Sequence, residues 1–328
     1  MTDMHKKTAL VLGAGGFIGT HLVARLRREG CWVRGVDVRL PAFGPSEADE
    51  FVRADLRQGT AMAAVFDRRF DEVYQLAADM GGAGYIFSGD NDAAVMTNSA
   101  QINLNVVQHC PPPACGRLLF TSSACVYPQH TQADPDQPNC HEDAAYPADP
   151  ESDYGWEKLF AERLYDAARR NNGLNTCIAR LHNVFGPLGT WEGGREKAPA
   201  AICRKVAEAP DGGEVDIWGD GRQTRSFLYV DECIEGLTRL IRSQHPGPLN
   251  LGSTERVSID DLARMVIDIS DKFLSVRFVD GPQGVRGRNS DNRRLQASLG
   301  WQPSLPLRAG IEKTYAWIAG QVARQSAA

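Results

Sequence analysis

The sequence lacks the features that would send a chain into a membrane, onto a nucleic acid or into a disulfide scaffold. No apolar run approaches the roughly 18–20 residues that span a bilayer, so no transmembrane helix is expected. Basic residues form no block. The 36 Lys and Arg are outnumbered by 41 Asp and Glu, for a formal net charge of −5, which argues against a nucleic-acid surface. The 8 cysteines show no Cys-x-x-Cys spacing and no matching His pattern. Disulfide frameworks belong to small secreted domains, and zinc sites need paired short spacings. Reduced thiols are therefore expected, mostly as small buried apolar residues, and no metal site is. Neither an internal repeat nor a low-complexity tract is visible. The polar stretch 1–7 leads straight into a strand pattern, so no signal peptide is expected. A soluble, cytoplasmic protein is the resulting expectation.

What is present is a chain of 328 residues with 42% hydrophobic residues and 32 glycines. Such a length suits about two domains or one large α/β domain. Residues 8–12 form a short apolar run that ends in a glycine turn. Residues 20–28 read as a helix with Leu22, Val23 and Leu26 on one face, and 31–37 as a strand closing on Asp37. Strand, glycine turn, helix and strand make one βαβ unit. Further strands are predicted at 51–55, 72–76, 117–121 and 176–180, with helices such as 100–108 and 154–169 between them. This alternation predicts an α/β fold, a Rossmann-type doubly wound parallel sheet. From about Asn183 the pattern changes to stretches rich in Gly and Pro (186–194, 210–213, 281–287) between shorter elements. A late strand at 248–252 is expected to return to the first sheet, and 259–269 and 307–322 read as amphipathic helices. The expected division is 6–185 plus 228–255 for a nucleotide-binding domain, and 186–227 plus 256–323 for a smaller, discontinuous substrate domain.

Gly13, Gly16 and Gly19 are spaced G-x-x-G-x-x-G. Glycine permits the tight turn, lets backbone N–H groups approach a pyrophosphate and brings helix close to strand. Asp37 ends the second strand, where a carboxylate bonds a ribose diol and repels a 2′-phosphate, so NAD is preferred over NADP. Asp55 either caps the adenine end or closes an ordinary strand-end turn. Tyr154 and Lys158 stand four apart on a predicted helix and so share one face. A lysine charge is expected to lower the phenol pKa, which makes tyrosinate an acceptor for an alcohol proton.

The variant glycine spacing, the Leu76-Ala77-Ala78 strand end, the Thr121-Ser122-Ser123 strand end and Tyr154-x-x-x-Lys158 together resemble the extended short-chain dehydrogenase/reductase family, over essentially the whole chain. The resemblance implies NAD bound by Gly13, Gly16, Phe17, Ile18, Gly19, Asp37, Asp55, Ala77, Tyr154 and Lys158, with Lys158 on the nicotinamide ribose. It also implies that Ser123 bonds the reacting oxygen. Members that act on nucleotide sugars begin by oxidising C-4, which acidifies the hydrogens on C-3 and C-5. The sugar 4,6-dehydratases carry two acids at the strand end, and here Ala124 and Cys125 stand in their places, which weighs against dehydration.

Longer segments narrow the resemblance to nucleotide-sugar epimerases that invert C-3 and C-5 of a GDP-hexose. These are residues 76–82, 180–187, 189–200, 219–227 and 284–292, and Gly193-Gly-Arg-Glu-Lys-Ala-Pro-Ala200 is the most specific of them. The resemblance implies a redox-neutral cycle in which Tyr154 takes the C-4 hydroxyl proton. Cys125 and Lys197 then exchange protons with C-5, and afterwards with C-3, on opposite faces of the ring. Inversion needs a carrier on each face, and the pKa values of a thiol and an amine can be tuned towards neutrality. Gly81, Ser123, Cys125, Asn183, Glu196, Lys197, Lys205, Gln223, Arg225 and Arg288 are implied for the GDP-sugar. Arg225 and Arg288 are candidates for the diphosphate or for anchoring a loop, since a guanidinium fork bonds two oxygens at once. His182 is expected to be a structural neighbour of Asn183, and Trp191, Trp218 and Trp301 to be core. The family also implies a homodimer through a four-helix interface built from residues 100–108 and 159–169 of each chain.

Overall fold

The computed structural model describes residues 6–281 and 284–327. The first five residues of the polar lead, and positions 282–283 of the Gly- and Pro-rich stretch 281–287, lie outside the described residues. In chain order the first part comprises β1 (Thr8–Leu12), α1 (Phe17–Arg28), β2 (Trp32–Asp37), β3 (Glu50–Arg53), α2 (Met62–Val65), β4 (Phe70–Gln75), α3 (Ala83–Ile86), α4 (Asp92–His109), β5 (Cys115–Ser123), α5 (Asp153–Asn172) and β6 (Thr176–Leu181). The remainder comprises β7 (Val184–Phe185), α6 (Ala198–Glu208), β8 (Glu214–Trp218), β9 (Thr224–Ser226), β10 (Leu228–Tyr229), α7 (Val230–Arg242), β11 (Leu249–Leu251), β12 (Arg256–Ser258), α8 (Ile259–Ser270), β13 (Ser275–Val279), β14 (Gly287–Arg288), α9 (Arg293–Leu299) and α10 (Leu307–Ser326).

Seven strands make one parallel sheet in the order β11-β6-β5-β4-β1-β2-β3. The chain winds outward from β1 first to β2 and β3, and then in the opposite direction through β4, β5, β6 and β11. A crevice opens at that reversal, beyond the carboxyl ends of β1 and β4. Side chains alternate across β1. Ala9 and Val11 join the core under α1 and α7, whereas Leu10 and Leu12 join the core under α4 and α5. A strand buried on both faces reads as an unbroken apolar run, which is why this strand was legible.

Two boundaries move from the sequence expectation for physical reasons. Helix α1 begins at Phe17 rather than 20, because its N-cap is Gly16, which offers no side-chain cap to mark the start. Helix α4 begins at Asp92 rather than 100. Several of its buried positions are polar (Ser99, Asn103 and Asn105), so its apolar periodicity fades. The late strand β11 does return to the first sheet, against β6.

Beyond β6, three small sheets form: β10-β7, β12-β9-β14 and β13-β8. Helices α6, α8 and α10 pack on one another. Their apolar residues, such as Ile202, Val206, Leu262, Val266, Ile311 and Ile318, continue the core that α1 and α7 share. Among the described residues no helix is long and apolar enough to cross a membrane.

A buried polar network lies under the carboxyl ends of β5 and β6. Glu162 on α5 accepts two bonds from Arg180 on β6, at 2.9 and 2.7 Å, and one from the Ser122 hydroxyl at 2.5 Å. Arg180 also donates to the Glu142 carbonyl (2.6 Å), and the Tyr127 hydroxyl donates to Asn250 Oδ1 (2.6 Å). His182 donates through Nε2 to the same Asn250 oxygen at 2.9 Å. As expected, it is a structural residue. Burial pushes its imidazole down to about 4, against the Asn250 bond that favours the charged form. The folded state thus holds His182 neutral, while the unfolded chain takes up a proton below about 6.5. Stability should fall as pH drops from about 6.5 towards 4, by about 3 kcal/mol in full. Urea midpoints measured across that range should show this slope, and His182→Gln should flatten it.

Candidate active site

At the end of β1 the backbone turns with no room for side chains. Gly13 has φ +89°, and a Cβ there would lie 2.9 Å from the Ala77 nitrogen. A Cβ on Gly19 would lie 2.1 Å from the Gly13 carbonyl oxygen, so β1, α1 and the end of β4 are pressed together around bare backbone. Helix α1 opens at Gly16 without a capping side chain, which leaves first-turn N–H groups for an anion. Asp37 stands beside this turn. Its Oδ2 accepts the Gly15 N–H at 3.0 Å and its Oδ1 the Arg39 N–H at 3.1 Å. Asp55 also closes a strand-end turn. Its carboxylate accepts the Arg57 backbone N–H at 3.0 Å and pairs with the Arg57 guanidinium at 2.7 Å.

Strand β5 ends in a short turn at Ala124–Val126, where the Ser123 hydroxyl accepts the Cys125 N–H at 3.1 Å. Helix α5 starts hard against that turn. A Cβ on Gly155 would lie 2.2 Å from the Cys125 carbonyl oxygen, so glycine here lets Tyr154 stand next to Ser123 and Cys125. One turn on, Lys158 is buried and donates to the Thr121 carbonyl at 3.2 Å. Its ammonium lies 4.9 Å from the centroid of the Phe120 ring and 5.7 Å from that of Tyr154. The expected lowering of the phenol does not dominate this geometry. Burial pushes Tyr154 up, as do Cys125 and the Glu157 carboxylate, and the Ser123 bond only partly opposes them. Burial likewise pushes Lys158 down, against the charges of Glu157 and Glu162.

These groups open on a cavity of about 390 Å³ lined from both halves of the chain. Ile18, Gly81, Ser123, Cys125, Tyr154 and Lys158 line it from the sheet side. Asn183, Glu196, Lys197, Lys205, Gln223, Arg225 and Arg288 line it from the segments after β6. The structure thus gathers every residue expected at the sugar nucleotide into one cavity. Gly13, Gly16, Phe17, Gly19, Asp37, Asp55 and Ala77 lie outside its lining; apart from Asp55, they form or border the glycine turn. Cys125 is half-buried and the other seven cysteines are buried, all as free thiols.

Lys197 is the N-cap residue of α6, and burial pushes its amine down against the attraction of Cys125. Arg288 donates to Cys125 Sγ at 3.3 Å and to Gln132 Oε1 at 2.5 Å. Its buried Nη2 makes no hydrogen bond and lies 4.0 Å from Glu151 Oε2, which is also unbonded. Arg225 is pushed down to about 10 by burial and by the charge of Arg288. Gln223 donates to the Trp218 carbonyl at 3.2 Å while its buried Oε1 is unbonded. Asn183, at φ +37°, donates to the Ser226 carbonyl (3.0 Å), and Glu196 pairs with Arg204 at 3.1 Å.

Trp218 departs from the core expectation. It is 42% exposed, lines the cavity and has the Lys205 ammonium 5.8 Å from its ring centroid. Lys205 also donates to the Asp216 carbonyl at 2.7 Å. Trp191 is buried, as expected, and Trp301 is partly buried against the core. Sequence reasoning missed Glu151, which carried no motif signal, and the contact between Tyr85 and Arg195, whose ring and guanidinium lie 3.9 Å apart.

A doubly wound parallel sheet, a glycine turn at its switch point and a buried Tyr–Lys pair on the neighbouring helix define a dinucleotide-dependent enzyme of the Rossmann class. The chain belongs to the NAD dependent epimerase/dehydratase family, which residues 9–252 match. It is 41% identical over 319 residues to GDP-mannose 3,5-epimerase of Arabidopsis thaliana, covering 97% of this chain and 83% of that protein. It is 40% identical over 317 residues to GDP-mannose 3,5-epimerase 1 of Oryza sativa subsp. indica, covering 96% and 82%. Among solved structures, UDP-glucuronic acid 4-epimerase from Bacillus cereus, in complex with UDP-glucuronic acid and NAD, superposes with a TM-score of 0.81 at 26% identity. That alignment covers 96% of this chain and 99% of the other.

The bare-backbone cradle, Asp37 beside it and the buried Lys158 fit NAD, the cofactor for which the family is named. Gly13→Ala should therefore purify folded but with at least about tenfold less NAD, because the added Cβ both meets Ala77 and strains a left-handed turn. Cofactor released on denaturation, with circular dichroism as the control for folding, measures this.

Proposed function

We propose that the protein epimerises GDP-mannose at C-3 and C-5 through a transient 4-keto sugar, giving GDP-L-galactose, GDP-L-gulose or both. The observation that carries the reading is one cavity that holds Tyr154, Lys158 and Ser123 together with a half-buried thiol and a buried amine from the other half of the chain. Support also comes from the two plant epimerases, each about two-fifths identical over nearly the whole chain.

NAD, when bound, would supply a reversible hydride acceptor for C-4. Gly13, Gly16, Phe17, Ile18, Gly19, Asp37 and Ala77 would hold it around the glycine turn, with Asp55 at its adenine end, and Lys158 would hold its nicotinamide ribose. Tyr154, as tyrosinate, accepts the C-4 hydroxyl proton, and the Ser123 hydroxyl bonds that oxygen. The ketone acidifies C-3 and C-5. Cys125, as thiolate, removes the C-5 proton and Lys197 delivers one to the opposite face; once the thiol has given its proton to solvent and the amine has taken one up, the pair repeats the exchange at C-3. Burial suits Lys197 to this task, since an amine held below its usual pKa gains and loses a proton with less driving force. Arg288 holds the thiol in place through its 3.3 Å bond. Gly81, Asn183, Glu196, Lys205, Gln223 and Arg225 bind the sugar nucleotide. On this reading residues 6–185 with 228–255 form the NAD domain, and 186–227 with 256–323 the sugar-nucleotide domain.

The protein acts as a homodimer. Trp156 and Phe160 lie one turn apart on α5 and are 42% and 45% exposed. Helix α4 packs beside α5, so two copies of this face make a four-helix interface. Trp156→Glu should convert the dimer to a monomer, as measured by light scattering.

Incubation with GDP-mannose in deuterated water, without added NAD, tests the reaction by proton NMR. Deuterium should appear at both C-3 and C-5 with no net change in NAD(H). Deuterium at C-5 alone would restrict the reaction to one carbon, and no exchange despite bound NAD would overturn the substrate assignment. Tyr154→Phe should lower all turnover by about 10²–10⁴-fold. Cys125→Ala should abolish exchange while still allowing oxidation at C-4.

A further inference from the structure

We propose that Tyr85 and Arg195 are positioning residues that set Lys197 in the cavity by bolting its segment to the sheet side of the site. The inference rests on the epimerase reading, in which Lys197 carries a proton. Lys197 belongs to the segment that leads into α6, whereas Ser123 ends β5, Cys125 lies in the turn after it and Tyr154 stands on α5. The two groups of residues must therefore be held in register across the cavity.

The register is made by a seam next to Lys197. The Gly82 N–H donates to the Arg195 carbonyl at 2.9 Å. A Cβ on Gly82 would lie 2.2 Å from the Glu196 carbonyl oxygen, so the two backbones touch directly. Beside that contact, the Arg195 guanidinium carbon lies 3.9 Å from the centroid of the Tyr85 ring, a cation–π contact that closes the seam through side chains.

Both ends of the bolt are anchored. The Tyr85 hydroxyl donates to Asp79 Oδ1 at 3.0 Å, and Asp79 Oδ2 accepts from Asn98 on α4 at 2.8 Å. The Asp79 N–H donates to the Ser99 hydroxyl at 3.0 Å, and Asn91 donates to the Tyr85 carbonyl at 3.3 Å. Tyr85 is thereby tied to α4. On the other side, Glu196 accepts the Gly194 N–H at 2.7 Å and pairs with Arg204 of α6 at 3.1 Å. The turn that carries Arg195 is thus locked to the helix that Lys197 caps. A proton carrier must sit within hydrogen-bond reach of the carbon it serves, and a shift of about 1 Å costs up to about 10²-fold.

Arg195→Met and Tyr85→Leu remove the charge or the ring. Each should lower deuterium exchange at C-5 by about tenfold or more, while the near-ultraviolet absorbance of reduced nicotinamide, formed on oxidation at C-4, keeps its wild-type amplitude. Tyr85→Phe keeps the ring but loses the bond to Asp79, and should lower exchange less than Tyr85→Leu. A second readout needs no substrate. The rate at which an amine-reactive ester labels Lys197, followed by peptide mass mapping, should rise several-fold in Arg195→Met and Tyr85→Leu and by less in Tyr85→Phe. Unchanged labelling in those two variants, or an equal loss of C-4 oxidation and C-5 exchange, would overturn the proposal. If the wild type shows no exchange, the epimerase reading fails, and the labelling comparison still decides whether Tyr85 and Arg195 position Lys197.

Discussion

The geometry of the site depends on the buried pair between Glu162 and Arg180. Charges this deep are stable only when nearly every polar atom around them is matched. Here Glu162 accepts from Arg180 and from Ser122, and Arg180 goes on to the Glu142 carbonyl. Those bonds join α5, β5 and β6 at the level where Ser123 and Cys125 leave the sheet. Through Tyr127 and Asn250 they reach β11 as well. Helix α5 therefore cannot slide or rotate against the end of β5 without stranding a buried charge. Tyr154 and Lys158 inherit their positions from that restraint.

Burial then sets the chemistry of the groups so placed. It disfavours charge whatever the sign, so it raises acids and lowers bases. Tyr154 is pushed up, and Lys158 and Lys197 are pushed down. A phenol must lose its own proton before it can take one from the C-4 hydroxyl, and burial by itself opposes that loss. An amine pushed down exchanges its proton more readily than a solvated lysine. Burial thus favours proton exchange at the amine and opposes it at the phenol.

The cavity also shows why the chain is built in two interleaved parts. Inversion at carbon requires groups on both faces of the sugar. A single sheet edge presents its side chains from one side, as Ser123, Cys125 and Tyr154 are presented here. Lys197, Gln223, Arg225 and Arg288 come from segments that leave the sheet after β6 and fold over the crevice. Glycine decides how closely they can fold over it. Gly82 and Gly155 each lie where a Cβ would come 2.2 Å from a carbonyl oxygen of the adjoining segment. Both glycines sit at seams that bring site residues together.

The amino-acid sequence by itself determined the parallel sheet, the glycine turn with Asp37 beyond it, and the Tyr154–Lys158 face. Each is a local pattern whose period or spacing reports backbone geometry directly. Its longer motifs also pointed to Cys125, Lys197 and the arginines, but only through likeness to a family. Tertiary structure alone decided that Cys125 bonds Arg288, that Asp55 pairs with Arg57, and that Trp218 faces the cavity rather than the core. It also decided that Tyr85 meets Arg195. Periodicity states which face of an element is buried, not which distant element covers it. Contacts between residues far apart in the chain therefore appear only once the sheet order and the return of the chain have placed them.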